Sequence, residues 1–249
     1  MRLLLFSLLV VILVLAWIIL STKCDKIKVE KFSTDDYGPT LLVVGSVHGN
    51  EPAGSEAAID VANLFKNGEL NLKQGKIILI TEGNPCGLKM RVRGVPHRTL
   101  LPTYDINRNF RQTNNIAYSG GGRCPISRQI SDLAQESDVI LDLHEAWGYV
   151  KENNGSMGSG IYYRYPGSSE IANAILEAIN EDIVDEKKKF IATENWSQIN
   201  TALEAAPSVE GKPYILIETS GQNDIQPLEV RKQQMKKAIF ATLKQMNMI

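Results

Sequence analysis

The chain of 249 residues carries 27 Lys and Arg against 28 Asp and Glu, a formal net charge of −1. This near-neutral balance argues against nucleic acid as a partner, because proteins that bind it usually carry a basic excess. With 43% hydrophobic and 22% charged residues, the composition excludes global disorder and low-complexity classes. The length suits one large domain or two small ones.

Apolar residues are concentrated at the N-terminus, where residues 3–22 include no charged side chain. Twenty residues in a helix span about 30 Å, the hydrocarbon thickness of a bilayer, so we expect this segment to cross a lipid bilayer. A signal peptide has a shorter apolar region and a small-residue cleavage site. We therefore favour residues 1–24 as a retained membrane anchor; cleavage is the alternative and would make the protein secreted.

The residues that flank the apolar run indicate on which side of the membrane the following domain lies. The lysines after the apolar run favour a cytoplasmic domain by charge count, whereas a short basic start before an apolar run is typical of export. We favour an extracytoplasmic domain. Residues 25–38 are charged and without periodicity, which predicts a linker before a catalytic domain over 39–249.

Three cysteines, Cys24, Cys86 and Cys124, lack the spacing of a metal site. If the domain faces an oxidising space, a Cys86–Cys124 disulfide is one interpretation. Unpaired thiols are the other, and the sequence does not decide between them.

From residue 40 onward, short apolar runs alternate with segments of helical periodicity. The predicted strands are Thr40–Gly45, Lys76–Thr81, Asp138–Leu143 and Pro213–Ile217. The predicted helices are Gly54–Phe65, Pro125–Gln135, Ser168–Asn180 and Pro227–Met246. Residues 83–125 are rich in Gly, Pro and Arg and are predicted as long, structured loops. Apolar strands separated by helices predict an α/β fold with a parallel or mixed sheet covered on both faces.

Polar side chains follow each predicted strand. His48 and Glu51 come after the first strand, Asn84 after the second, His144 after the third and Glu218 after the fourth. In an open α/β sheet, ligands bind outside the carboxyl ends of the strands. One crevice is therefore expected to collect these residues.

Two histidines and one glutamate form a ligand set of catalytic zinc, which leaves a fourth position for water. His48 and Glu51 are three residues apart in one loop, and His144 arrives from another strand. Asp142 shares a strand face with His144 and is placed to orient an imidazole. Taken singly, His-x-x-Glu recurs by chance, His144 fits a core histidine and Glu218 fits a structural ion pair. Their occurrence together at successive strand ends favours a metal site.

The motifs together resemble a known superfamily. The order Gly-x-x-His-Gly-Asn-Glu, Asn-Pro, Asp-x-Asn-Arg-x-Phe, Asp-Leu-His and a late strand-end Glu is similar to the zinc carboxypeptidases. Within them the chain most resembles the succinylglutamate desuccinylase/aspartoacylase branch, from about Thr40 to Gly221. The resemblance implies a mixed, mainly parallel sheet with helices on both faces. It also implies one zinc ion per chain, with His48, Glu51 and His144 as ligands.

The resemblance assigns further roles by matching position. Glu218 matches the catalytic glutamate, which takes a proton from zinc-bound water and returns it to the leaving amine. Arg93 matches the arginine that stabilises the oxyanion. Asn107 and Arg108 match the pair that binds a substrate carboxylate. Tyr163, in a Gly-flanked aromatic run, is a candidate for closing over the substrate; an aromatic strand is the alternative.

The sequence also departs from the branch. The segment after Arg93 is longer than in the deacylases, so Arg91 and Arg98 are alternatives for its role. His144 is followed by Glu145, which either supports the site or is merely exposed. The deacylases usually carry a further C-terminal β-domain, whereas 31 residues follow the catalytic glutamate here. We therefore expect a more open cleft.

The predicted activity is zinc-dependent hydrolysis of an amide bond next to a free carboxylate, in a peptide or an N-acyl amino acid. Asp-x-Asn-Arg-Asn-Phe favours a peptidase, and the Asn-Pro spacing to Arg93 favours a deacylase. A non-catalytic carboxylate-binding module on a degenerate hydrolase fold and a membrane scaffold are the alternatives from other classes. Retention of all three ligand types and of Glu218 argues against the degenerate module.

Overall fold

The computed structural model describes residues 6–13, 15, 24–95, 105–110, 124–153, 155–196 and 202–249. Its strands are β1 (Lys28–Ser33), β2 (Thr40–Gly45), β3 (Lys76–Glu82), β4 (Val139–Trp147), β5 (Gly160–Arg164), β6 (Ile191–Glu194) and β7 (Tyr214–Gln222). Its helices are α1 (Ala53–Lys66), α2 (Pro85–Met90), α3 (Pro125–Gln135), α4 (Ser168–Asn180) and α5 (Leu228–Gln245), with 3-10 turns at Ile106–Arg108 and Leu203–Ala205.

The strands form one mixed sheet in the order β1-β3-β2-β4-β7-β5-β6. β3, β2, β4 and β7 run parallel to one another, and β5 runs parallel to β6. β1 is antiparallel to β3, and β5 is antiparallel to β7. The predicted mixed, mainly parallel sheet is confirmed. The carboxyl ends of four parallel strands therefore lie at one edge, where ligands bind in such folds.

Helices cover both faces of the sheet. On one face, alternate strand residues such as Leu141 and Ile215 pack against α1, α4 and α5. On the other, Ile140 and Leu216 pack with α3. Because successive strand residues point to opposite faces, Asp142, His144 and Glu218 share the α3 face.

Two strands extend farther than predicted. β4 continues past Leu143 to Trp147, and β7 continues past Ile217 to Gln222. His144 and Glu218 therefore lie within the sheet and not in loops after it. The apolar run stops early because the site itself is built on these strand residues, so polar side chains replace apolar ones at buried positions.

The interpretation of residues 25–38 as a linker is wrong for Lys28–Ser33, which form the edge strand β1. Val29 and Phe32 pack on opposite faces of the sheet, and the Phe32 ring stacks on Phe65 with ring centroids 4.8 Å apart. One apolar residue per face among charged neighbours gives no alternation, so the strand was not visible in the pattern.

The predicted loop region 83–125 contains the short helix α2. Asn84 caps it, because its Oδ1 accepts a hydrogen bond from the Gly87 amide at 3.0 Å. Pro85 occupies the first turn, where its missing N–H costs nothing. The Asn-Pro pair is thus a helix-start signal as well as a family motif. Residues 96–104 and 111–123 lie outside the described residues.

The disulfide joins Cys24 to Cys86, with Cα atoms 5.3 Å apart, and not Cys86 to Cys124. Pairing of β1 with β3 explains this. Lys28 lies opposite Glu82, so the residues before β1 reach the start of α2. Cys124 is buried at the N-terminal cap of α3.

The N-terminal residues 6–13 are helical and expose apolar side chains, including Phe6, Leu9 and Leu13. Within the described ranges, no helix has both the length and the apolar character needed to cross a membrane. Most of the predicted span over 3–22 lies outside those ranges.

Candidate metal centre

Three buried side chains converge at the carboxyl edge of the sheet. His48 and Glu51 lie in the loop from β2 to α1, and His144 lies on β4. His48 Nδ1 is 2.9 Å from Glu51 Oε1, His144 Nδ1 is 3.0 Å from Glu51 Oε2, and the two Nδ1 atoms are 3.1 Å apart. All three residues are at most 2% exposed, and together they form a candidate metal site.

The far nitrogen of each imidazole faces an aspartate. His48 Nε2 lies 2.9 Å from Asp105 Oδ1, and His144 Nε2 lies 3.3 Å from Asp142 Oδ1. Asp142 is held in turn by the Tyr214 hydroxyl, which donates to its Oδ2 at 2.6 Å. Carboxylates behind metal-binding histidines fix ring orientation. The geometry thus aims both Nδ1 atoms at one point and matches the orienting position predicted for Asp142.

The loop that carries two of these side chains is tightly fixed. Ser46 adopts a left-handed backbone with φ 52°. Its hydroxyl donates to the Glu51 carbonyl and accepts from the Ser55 amide at the start of α1. The Gly49 amide donates to the Arg93 carbonyl at 3.3 Å. The loop is therefore tied both to α1 and to the segment that contains Arg93.

Charges around the site shift the pKa values of its groups in opposite directions. Burial alone would raise the pKa of Glu51, but His48 and His144 hold it well below its usual range. Burial likewise opposes ionisation of Asp105, yet His48, Arg93 and Arg108 lower its pKa strongly. Although burial disfavours a charged imidazole, Asp142 and Glu51 raise the pKa of His144 well above its usual range.

Glu218 lies directly beside His144 across the parallel pair β4 and β7, in register. Neighbouring strands are about 4.8 Å apart, so the glutamate is adjacent to the three convergent side chains and on the same face. Burial, helped by the Glu51 and Asp142 carboxylates and opposed by His144 and Arg93, raises the pKa of Glu218 to about 8. A carboxyl group with this pKa exchanges protons near neutral pH.

The Arg93 side chain reaches the candidate metal site. Its Nη1 donates to Glu51 Oε1 and its Nε to Asp105 Oδ2, both at 3.0 Å. The side chain remains 38% exposed. Of the alternatives for its role, Arg91 lines a cavity of about 1000 Å³ between α1, α2 and the start of α5, and Arg98 lies outside the described residues.

Asn107 and Arg108 lie in the 3-10 turn that follows Asp105. The Asn107 side-chain oxygen accepts from the Leu203 amide at 3.0 Å. Arg108 Nη1 donates to the Asn107 carbonyl at 2.7 Å and lies 4.0 Å from Asp105 Oδ2. Arg108 therefore reaches the edge of the site, whereas Asn107 also holds a neighbouring turn.

Tyr163 is not brought to this cluster. It alternates with Tyr162 on β5 and packs with the core under α4 and α5, on the opposite face from the site. The aromatic-strand alternative describes it. Tyr162 is on the site face: its ring covers Gly160, which pairs with Glu218. Burial and the charge of Glu218 raise the pKa of Tyr162 to about 12.

Glu145 is buried, which resolves the two sequence alternatives against an exposed side chain. It points to the face opposite His144. Its Oε1 accepts from the Ala53 amide at 2.7 Å, and its Oε2 accepts from Arg231 Nη1. Burial raises its pKa to about 7, against the opposing effects of Ala53 and Arg231. A lone glutamate after a histidine gave no signal of this contact.

The residues present fit a zinc ion. Ligands about 2.1 Å from a tetrahedral centre lie about 3.4 Å from one another. Here the two Nδ1 atoms are 3.1 Å apart, and each lies about 3 Å from one oxygen of the Glu51 carboxylate. Two neutral imidazoles and one carboxylate are zinc ligands, and their orienting aspartates are in place.

The mixed sheet and the candidate metal site at its carboxyl edge are those of the zinc carboxypeptidase-like class of α/β proteins. The family model described as succinylglutamate desuccinylase/aspartoacylase catalytic domain matches residues 37–184. The chain belongs to this succinylglutamate desuccinylase/aspartoacylase family. No curated protein sequence matches it significantly.

Solved structures are similar in fold. The cell shape determinant protein Csd4 from Helicobacter pylori has a TM-score of 0.71 at 20% identity, over 90% of this chain and 55% of its own. A succinylglutamate desuccinylase/aspartoacylase from Rhodobacter sphaeroides has a TM-score of 0.58 at 19% identity, over 90% of this chain and 60% of its own. The ectoine utilization protein EutE (DoeB) from Ruegeria pomeroyi has a TM-score of 0.57 at 16% identity, over 85% of this chain and 59% of its own. The chain thus spans little more than half the length of these proteins.

Proposed function

We propose that this protein is a zinc-dependent hydrolase that cleaves an amide bond next to a free carboxylate. The observation that carries the proposal is the convergence of His48, Glu51 and His144, with Glu218 in register beside them. Membership of a deacylase family supports hydrolysis. When bound, zinc supplies a Lewis acid that polarises the scissile carbonyl and makes water more acidic.

The chain's own residues divide the remaining work. Glu218 accepts a proton from the attacking water and donates it to the leaving amine nitrogen, for which a pKa near neutrality is suited. The exposed part of the Arg93 guanidinium stabilises the oxyanion that develops on the carbonyl oxygen. Arg108, with Asn107 beside it, binds the free carboxylate of the substrate through paired hydrogen bonds.

We favour a peptide as substrate over a small N-acyl amino acid. Csd4, whose fold is similar with a TM-score of 0.71, is a D,L-carboxypeptidase whose structure has been solved with a tripeptide and with mDAP. The Asp-Ile-Asn-Arg-Asn-Phe motif agrees with this choice. Hydrolysis of N-acyl amino acids but not of peptides would reverse it.

We further propose that residues 3–22 hold the protein in a bilayer with its domain outside the cytoplasm. The exposed apolar side chains of residues 6–13 support contact with lipid. The Cys24–Cys86 disulfide supports the external side, because disulfides persist in oxidising compartments. Labelling intact cells with a membrane-impermeant reagent tests the side; protection of the domain would contradict the proposal.

The activity is tested with Glu218→Gln in the full-length, zinc-loaded protein. Loss of the proton acceptor is expected to lower kcat by about 10²–10⁴-fold on C-terminally free peptides, while the zinc content is retained. Glu229→Gln is the matched control, since Glu229 is exposed on α5. Equal hydrolysis by wild type and Glu218→Gln would refute the assignment of the base. Absence of zinc from wild type, or its retention in His48→Ala and His144→Ala, would refute the metal site.

A further inference from the structure

The Glu51 carboxylate is held by groups that are not candidate metal ligands. Gln222 Nε2 donates to Glu51 Oε1 at 3.1 Å, and the Glu145 amide donates to Glu51 Oε2 at 3.1 Å. Glu51 is only 1% exposed, so water does not replace these donors readily. The position of the carboxylate is thus fixed by protein groups besides the two imidazoles.

Gln222 is itself fixed by the neighbouring strand. Its Nε2 also donates to the Glu145 carbonyl at 2.7 Å. The amide nitrogen of one side chain therefore bridges β4 and the carboxylate. Because Gln222 is the last residue of β7 and pairs with Trp147 across a register shift, this bridge depends on how the end of β7 is held.

A buried ion pair holds that end. Arg231 on α5 donates from Nη1 both to Glu145 Oε2 and to the carbonyl of Gly221, the latter at 2.8 Å. Glu145 and Arg231 are 1% and 4% exposed. A Cβ atom on Gly221 would lie 1.7 Å from Glu145 Oε2, so only glycine permits this approach next to Gln222.

A buried ion pair adds little to the stability of a fold, because the free energy lost on desolvating two charges is about as large as their attraction. Here it joins three elements at one point: the Ala53 amide at the start of α1, Glu145 on β4 and Arg231 on α5. The ion pair positions the end of β7, where Gln222 contacts Glu51. This geometry favours a role in shaping the metal site.

We propose that Gln222 is a positioning residue for the metal ligand Glu51 and that the Glu145–Arg231 pair holds Gln222 in place. The amide keeps the carboxylate oriented toward His48 and His144 before the ion arrives, so the carboxylate loses less conformational freedom on binding. The inference rests on the proposed function only in that these three side chains bind zinc. It makes no demand on the substrate.

The test is the zinc affinity of full-length Gln222→Met, measured without substrate by competition with a chelator of known affinity. Methionine has similar length and no donor, and the zinc dissociation constant is expected to rise by about 10-fold. Gln234→Met is the matched control: Gln234 is also buried, but its Nε2 donates to Gln226 Oε1 in the loop before α5 and not to Glu51. Its zinc dissociation constant is expected to change less than about 2-fold.

The urea midpoint of each metal-free protein is measured alongside. A weaker affinity for zinc in Gln222→Met, with a midpoint no lower than that of Gln234→Met, supports the inference. Unchanged zinc affinity, or an equal loss in both variants, overturns it. If Gln222→Met does not fold, Gln222→Asn replaces it, because the shorter amide does not reach Glu51 and the same rise is expected. Failure of wild type to bind zinc would instead refute the proposed metal site.

Discussion

Two glutamates beside the same site have opposite electrostatic surroundings. Glu51 faces two imidazoles and Arg93, which favour its charged form. Glu218 is raised in pKa by burial and by the carboxylates of Glu51 and Asp142. Pairs of carboxyl groups whose pKa values are pushed apart commonly divide the tasks of ligand and proton carrier. The opposite pKa shifts agree with the roles of metal ligand and proton acceptor proposed for Glu51 and Glu218.

This difference predicts a pH dependence of stability in the metal-free protein. Folded Glu218 has a pKa of about 8 against an ordinary value of 4.5, so the folded state keeps a proton that the unfolded chain releases. Its contribution to stability is complete below about pH 4.5 and is lost as the pH rises to about 8. Urea unfolding in a chelator from pH 5 to 8.5 is expected to show a steeper decline for wild type than for Glu218→Gln. Parallel curves would contradict this prediction.

For individual residues, the order of the motifs along the sequence was enough to predict which side chains come together. His48, Glu51, His144 and Glu218 do come together. The contacts of Asp105 and Gln222 with them were not predicted, because they depend on how distant segments fold back and not on local pattern. Tyr163 was placed wrongly for a simpler reason: the face of a short aromatic strand depends on its register, which the sequence leaves open.

Among the elements, α2 most directly supports the loop from β2 to α1, which carries His48 and Glu51 of the candidate metal site. A Cβ atom on Gly49 would lie 2.0 Å from the Gly87 carbonyl carbon, so loop and helix meet backbone to backbone. Asn84 caps the helix and also donates to the Gly94 carbonyl at 3.0 Å. The Asn-Pro motif therefore positions the segment that contains Arg93 as well as the helix.

Gly49→Ala is accordingly expected to separate the loop from α2. We expect a loss of about 1–3 kcal/mol in unfolding free energy, as for other overpacked sites, and at least about 10-fold weaker zinc binding. Gly68→Ala is the control, since a Cβ there meets nothing within 4 Å although φ is +71°. It should cost about 1–2 kcal/mol through backbone strain alone, without effect on zinc. Equal zinc affinities in both variants would contradict the prediction.

Element boundaries were predictable where apolar periodicity was clean. α3 and α4 were predicted with the bounds observed, as was β2. The ends of β4 and β7 were missed because the site replaces apolar residues there, and β1 was missed because it is a charged edge strand.

For the molecule as a whole, the Cys24–Cys86 disulfide links the residues before β1 to α2, which contacts the loop of the candidate metal site. The bridged residues are 62 apart in sequence. Closing a loop of this length restricts the unfolded chain and stabilises the folded one by about 4 kcal/mol in the chain-entropy model. The sheet class was predictable from alternating strands and helices, whereas the cysteine pairing was not, because it follows from the unpredicted strand β1.

Reductant is therefore expected to lower the unfolding free energy of wild type by about 4 kcal/mol and to leave the Cys24→Ser, Cys86→Ser double variant unchanged. Urea unfolding of both full-length proteins, with and without a thiol, measures this. An equal response in the two proteins, or none in wild type, would show that the bond is not stabilising.

The same bond determines what a protease can release. Any single cut between residues 25 and 85 leaves the N-terminal piece covalently attached to the fragment that contains His144 and Glu218. In denaturing gel electrophoresis, a protein cut in this way migrates as one band without a thiol reductant and as two bands with it. If residues 3–22 hold the protein in a bilayer as proposed, its release by a single cut in this region would require cleavage before Cys24 or reduction of the disulfide.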